Sequence, residues 1–202
     1  MAISPRFRGP RQSHWRTVDI VVMAVVAALF GVVYWAWGLI SFAAVFSAFP
    51  PVAAVTNVVF VMAGPLGALI VRRPGAALGA EVLAAVFEAL VSVSWSGTSI
   101  VVYGVVEGAA AEAAFALARY HDWRLRTALA SGLFAGVAMA LLDVWIYRFY
   151  AYFPLGQKLA YLGLAAVAGA VIAGGVSWYL VRALAATGVL APFASGREQS
   201  LV

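Results

Sequence analysis

No cysteine occurs among the 202 residues, so disulfides, thiolate chemistry and Cys-type metal sites are excluded. Charge is scarce as well: 10% of residues are Asp, Glu, Lys or Arg, against about 25% in soluble domains. Histidine occurs twice, at His14 and His121, each in a basic flank where a solvated role is expected, so no His-based metal constellation arises. No GxxxxGK[ST] loop is present, which excludes ATP hydrolysis by that route. HExxH and DxD motifs are also missing, and no serine nucleophile lies near an in-membrane histidine. An enzyme is therefore not expected.

Apolar surface dominates: 65% of the residues are hydrophobic, and the mean hydropathy is +0.98. A water-soluble fold of this length cannot hide so much, because a small domain leaves much of its surface exposed. Lipid is the natural solvent for this chain. The net charge of +5 comes from arginines flanking apolar runs and reads as topology-setting charge, with no stripe suited to nucleic acid.

A bilayer core requires about 20 apolar residues per helix. Six segments meet or approach this, at 18–40, 52–71, 76–94, 99–118, 128–149 and 160–186. The first follows the basic stretch "MAISPRFRGPRQSHWR" and is too long for a signal-peptide core, so it is read as a span. Pro65 lies inside the second, where a kink is expected. With an even span count, Arg6, Arg8, Arg11, Arg16, Arg72, Arg73, Arg119, Arg124, Arg126, Arg182 and Arg197 share one side, and only Arg148 and Lys158 take the other. The positive-inside rule then makes both termini cytoplasmic. The expected fold is all-α: a six-helix transmembrane domain at 18–187 between cytoplasmic segments at 1–17 and 188–202. Loops at 41–51, 94–99 and 150–158 face outward, and no connection is long enough for a soluble domain.

Acids inside a membrane are costly, about 2.5–3.5 kcal/mol each on insertion scales, and so mark candidate sites. In "GAEVLAAVFEALVSVSWSG", Glu81, Glu88 and Trp95 recur every seven residues and share one helical stripe. This topology puts Glu81 in the cytoplasmic half, with Glu88 near or beyond the midplane and Trp95 at the outer surface. Glu107 and Asp143 come to similar outer levels from two further helices, while Glu112 lies deeper. Aromatics gather there too: Tyr34, Trp35 and Trp37 end the first span, Tyr103 is one turn from Glu107, and Tyr147 is one turn from Asp143. Carboxylates accept from amino groups and aromatic faces attract cations, so this set suits a flat, cationic or amine-bearing ring compound. The same residues also admit ordinary roles. Trp and Tyr at helix ends form interfacial belts, and a membrane glutamate can be held by a neighbouring helix. Glu81 and Glu112 are the acids for which packing is the preferred reading. Ala24 and Ala28, four apart in the first span, allow close helix approach.

The segments "RTVDIVVMAVVAALFGVVYWAWG" (16–38), "RRPGAALGAEVLAAVFEAL" (72–90) and "YGVVEGAAAEAAFAL" (103–117) carry a resemblance. The chain is similar, over nearly its whole length, to the substrate-binding S components of energy-coupling factor (ECF) transporters, within them the YkoE family for thiamine or its hydroxymethylpyrimidine precursor. The resemblance implies a multi-pass protein of the prokaryotic plasma membrane that binds a vitamin from outside and needs no cofactor of its own. It implies partnership with a transmembrane coupling subunit and two ATPases, contacted through Ala24 and Ala28. The loop "SFAAVFSAFPP" would be the lid. Glu88 and Glu107 are then the expected polar contacts, with Trp35, Trp37, Trp95, Tyr103, Asp143 and Tyr147 around them. A proton-coupled secondary transporter using Glu88 or Glu107 as relay is the alternative, although no internal repeat supports it.

Overall fold

A computed structural model of the chain describes residues 15–45, 50–92 and 97–197. Every regular element among them is helical. The order is α1 (Thr17–Val45), a short 3-10 turn, α2 (Ala53–Asn57), a 3-10 stretch (Val58–Val61) and α3 (Ala63–Val71). Then come α4 (Ala76–Val91), α5 (Gly97–Leu117), α6 (Leu125–Leu141) with a π-helical turn (Leu142–Ile146), and α7 (Leu155–Ala168). A π-helical stretch (Gly169–Val176) joins α7 to α8 (Ser177–Ala186), and α9 (Ala194–Arg197) closes the order.

The predicted boundaries at "RRPG" coincide with the structure: α3 ends at Val71 and α4 begins at Ala76. Arg72 takes a left-handed conformation (φ 55°) and its amide returns to the Ala68 carbonyl, closing α3 without a glycine. α1 runs further than the expected span, to Val45, so the first part of the anticipated outer loop is helical. The remainder of that candidate lid, at 46–49, lies outside the described residues. Among the described residues five helices are long and apolar enough to cross a membrane: Thr17–Leu39, Ala53–Val71, Gly97–Leu117, Leu125–Ile146 and Leu155–Ala186. α4, with 16 residues, is shorter, for it stops at Ser92, whose backbone is extended (φ −85°, ψ 103°).

The surface is apolar where a soluble protein would be polar. α1 exposes Ile20, Val21, Val25, Leu29, Val32 and Leu39 while burying Ala27, Phe30 and Tyr34. Both faces are greasy, which suits one face in the bundle and one in lipid. α4 sits at the centre, packed against α1, α3 and α5. Glycine permits each approach. A Cβ on Gly31 would press Phe87 Cβ, one on Gly67 would press Ala80 Cβ, and one on Gly104 would press Ala85 Cβ. α6 meets the π-helical stretch still more closely: a Cβ on Gly132 would overlap the Gly169 carbonyl, and one on Gly174 the Ala128 carbonyl.

The expected irregularity at Pro65 is present, displaced toward the N-terminus. A proline ring clashes with the carbonyl four residues earlier and supplies no N–H. That carbonyl belongs to Val61, the last residue of the 3-10 stretch. The helix restarts at Ala63 with its first amides free to bond elsewhere.

At one end of the bundle the buried Asp19 carboxylate accepts from Arg73 Nε at 2.6 Å and from Arg16 Nη2 at 2.9 Å. Arg16 also donates to the Pro192 carbonyl, and Ser195 Oγ donates to the Ile70 carbonyl. The first helix, the α3–α4 turn and the segment after α8 therefore meet at the same end.

Candidate ligand-binding site

A cavity of about 670 Å³ opens between the helices, away from the Asp19 cluster. α1 contributes Tyr34, Trp35, Gly38 and Leu39, while α2 and the 3-10 stretch contribute Asn57 and Phe60. α4 contributes Glu81, Ala85 and Glu88, and α5 contributes Ser99, Tyr103 and Glu107. Met139 of α6, Asp143 of the π-helical turn and Phe149, Tyr150 and Tyr152 of the following loop complete the wall. Tyr152 is 72% exposed and marks the mouth. Burial pushes the Tyr150 phenol above its usual range, with the Asp143 carboxylate adding to the shift, so this hydroxyl keeps its proton.

Five of the expected contacts line this space together: Trp35, Glu88, Tyr103, Glu107 and Asp143. Tyr147 stands behind the wall, stacked on Tyr103 with ring centroids 5.1 Å apart. Trp37 is not at the cavity. Its indole N–H donates to the Thr56 carbonyl at 2.9 Å and ties α1 to α2, a use of the indole that a helix-end position does not reveal. Trp95 lies outside the described residues. Ala24 and Ala28 are on α1, two to three turns from Trp35 toward the Asp19 end, and partly exposed.

The carboxylates are not equivalent. Glu81, 1% exposed, accepts from the Tyr34 hydroxyl at 2.9 Å and from the Gly64 amide, while the Ala63 amide donates to the Tyr34 oxygen at 2.8 Å. Two side chains from other helices thus cap the restart of α3 after the Pro65 break. Glu112 does likewise for α4, accepting from the amides of Gly75, Ala77 and Leu78. Asp143, 5% exposed, accepts from the Tyr103 and Tyr161 hydroxyls, each at 2.6 Å, and Asn57 donates in turn to Tyr161.

Glu107 differs from all of these. It is 3% exposed, and its Oε1 has no hydrogen-bond partner among the described residues. A buried polar atom left unpaired costs about 1–3 kcal/mol, more when charged. The side chain of Glu88, half-buried on the neighbouring helix α4, likewise makes no hydrogen bond or ion pair among the described residues. One wall thus presents two carboxylates with open acceptor capacity beside aromatic faces. Chemically this is a receptor for a donor-bearing or cationic aromatic molecule. Sequence reasoning assigned Glu81 to packing, which its cap agrees with, and missed that the cavity reaches down to it. Asn57 and Phe60 were also not among the expected contacts, and Tyr34 was expected only as one of the aromatics at this level; the seven-residue spacing of Glu81 and Glu88 hinted at the depth.

The permease component of ABC-type cobalt transport systems, as a sequence family, matches residues 18–138. The chain is also 34% identical over 188 residues to the putative HMP/thiamine permease protein YkoE of Bacillus subtilis (strain 168), covering 91% of this chain and 92% of that protein. The chain belongs to this permease family. Its fold is similar to a crystal structure of an S-component of an ECF transporter, with a TM-score of 0.86 and 30% identity, over 93% of this chain and 94% of the other. Family membership and the five apolar helices make the chain a multi-pass protein of the prokaryotic plasma membrane.

Proposed function

We propose that the chain is the membrane-embedded vitamin-binding subunit of an ECF-type importer, taking thiamine or its hydroxymethylpyrimidine precursor from outside the cell. The observation that carries this reading is the open Oε1 of buried Glu107 in an aromatic-lined cavity. Thiamine joins a cationic thiazolium to an aminopyrimidine. Glu107 accepts from the amine, Glu88 balances the positive ring, and Trp35 and Tyr103 offer faces for stacking. Similarity to an HMP/thiamine permease and to an S-component of an ECF transporter supports the same ligand class and assembly. The matching sequence family points to cobalt instead. An aromatic wall with two open carboxylates suits an organic cation better than a small hard or borderline ion, which takes several converging O or N ligands.

In this reading α4 is the span that brings the count to six, third in chain order. The eleven arginines on one side put both termini in the cytoplasm, with 1–17 and 188–202 as the flanking cytoplasmic segments. The cavity mouth then faces outward. The exposed α1 face around Ala24 and Ala28 meets the transmembrane coupling subunit, and two partner ATPases drive transport. Titration of the purified protein with thiamine, hydroxymethylpyrimidine and Co²⁺, followed by tryptophan fluorescence, tests the ligand class. Saturable binding of either organic ligand is expected; binding of Co²⁺ alone would overturn the reading.

A further inference from the structure

The cavity has a charge pattern with a consequence for which chemical form of a vitamin it accepts. Among the described residues that line it, four are acids, Glu81, Glu88, Glu107 and Asp143, and none is Lys, Arg or His. Ser92, just after α4, also lines this space. Of the two basic residues expected at this end, neither Arg148 nor Lys158 lines the cavity. Several of the wall's donors are already used: the Tyr34 and Tyr103 hydroxyls on carboxylates, and the Asn57 amide on Tyr161. A phosphate entering this space would shed its water, meet like charge and find no cation in return.

We infer that the cavity admits the free alcohol form of the vitamin and excludes its phosphate esters. The inference rests on the vitamin-binding reading above. A phosphorylated source of the vitamin then has to be hydrolysed outside the membrane before uptake, water supplying the oxygen of the released phosphate and the proton of the freed alcohol. Like-charge juxtaposition costs several kcal/mol, which corresponds to a discrimination of at least ~100-fold.

Isothermal titration of the purified full-length protein with thiamine, thiamine monophosphate and thiamine diphosphate at one ionic strength is the test. Thiamine is expected to bind, with both esters at least ~100-fold weaker and the diphosphate weakest. Esters binding within about threefold of thiamine would overturn the exclusion while leaving the vitamin-binding reading intact. Failure of thiamine and both esters alike would overturn both. The cause is read from two variants, either of which suffices. Glu88→Gln is expected to narrow the gap about tenfold by removing one repelling charge, and Ser92→Lys to raise ester affinity about tenfold by adding a cation at the wall. A gap unchanged by a folded variant would overturn the electrostatic origin.

Discussion

The Tyr34 hydroxyl donates to Glu81 Oε1 at 2.9 Å while its oxygen receives the Ala63 amide at 2.8 Å. One phenol thus links α1, α4 and the restart of α3. Removing it leaves a buried amide without a partner, which costs about 1–3 kcal/mol. Tyr34→Phe is therefore expected to lower the thermal midpoint in detergent, read by circular dichroism. An unchanged midpoint would mean that the cap does not hold the break.

The glycine seam between α6 and the π-helical stretch gives a paired prediction. Gly132→Ala forces a methyl group onto the Gly169 carbonyl, whereas at Gly163 an added Cβ meets nothing within 4 Å. Overpacking of this kind costs about 1–3 kcal/mol, and more where backbone must move. Gly132→Ala is expected to reduce the folded yield sharply by size-exclusion chromatography in detergent. Gly163→Ala is expected to match wild type; equal behaviour of the two would contradict the packing.

Asp143 accepts from two phenols, Tyr103 and Tyr161, and is proposed to orient them. Asp143→Asn is expected to cost about 1.5–3 kcal/mol of stability, the worth of hydrogen bonds to a charged group. Its effect on vitamin affinity is expected to be smaller than that of Glu107→Gln. A large affinity loss with an unchanged thermal midpoint would instead make Asp143 a direct contact.

How far these assignments were readable from the chain differs from residue to residue. Apolar runs, "RRPG" and Pro65 marked the helices and the break because burial in lipid and backbone sterics act locally. The common stripe of Glu81 and Glu88 was legible for the same reason. What Glu81 and Glu112 cap was not, since each acts on amides of another helix, and helix register across a bundle is not written in local spacing. Trp37 looked like Trp35, yet one bonds Thr56 and the other faces the cavity, a rotation of about 200° around α1. The π-helical stretches had no local signal, and Gly132 and Gly169 become a seam only once α6 and α7 are side by side.

Autonomy separates an ECF-type binding subunit from a proton-coupled carrier. Reconstituted alone in liposomes under a proton gradient, the chain is expected to accumulate no thiamine. With a coupling subunit and two ATPases, ATP is expected to drive uptake, and Ala24→Leu with Ala28→Leu to reduce assembly while leaving binding unchanged. Accumulation by the chain alone would favour the carrier.

The open Oε1 of Glu107 is where the ligand's donor group is proposed to bind, and the functional reading stands or falls on it. The direct measurement is a thiamine titration of wild type and Glu107→Gln, both folded in the same detergent. An affinity loss of at least ~10-fold is predicted, the worth of one hydrogen bond to a charged acceptor. Equal affinity in the two proteins would contradict it.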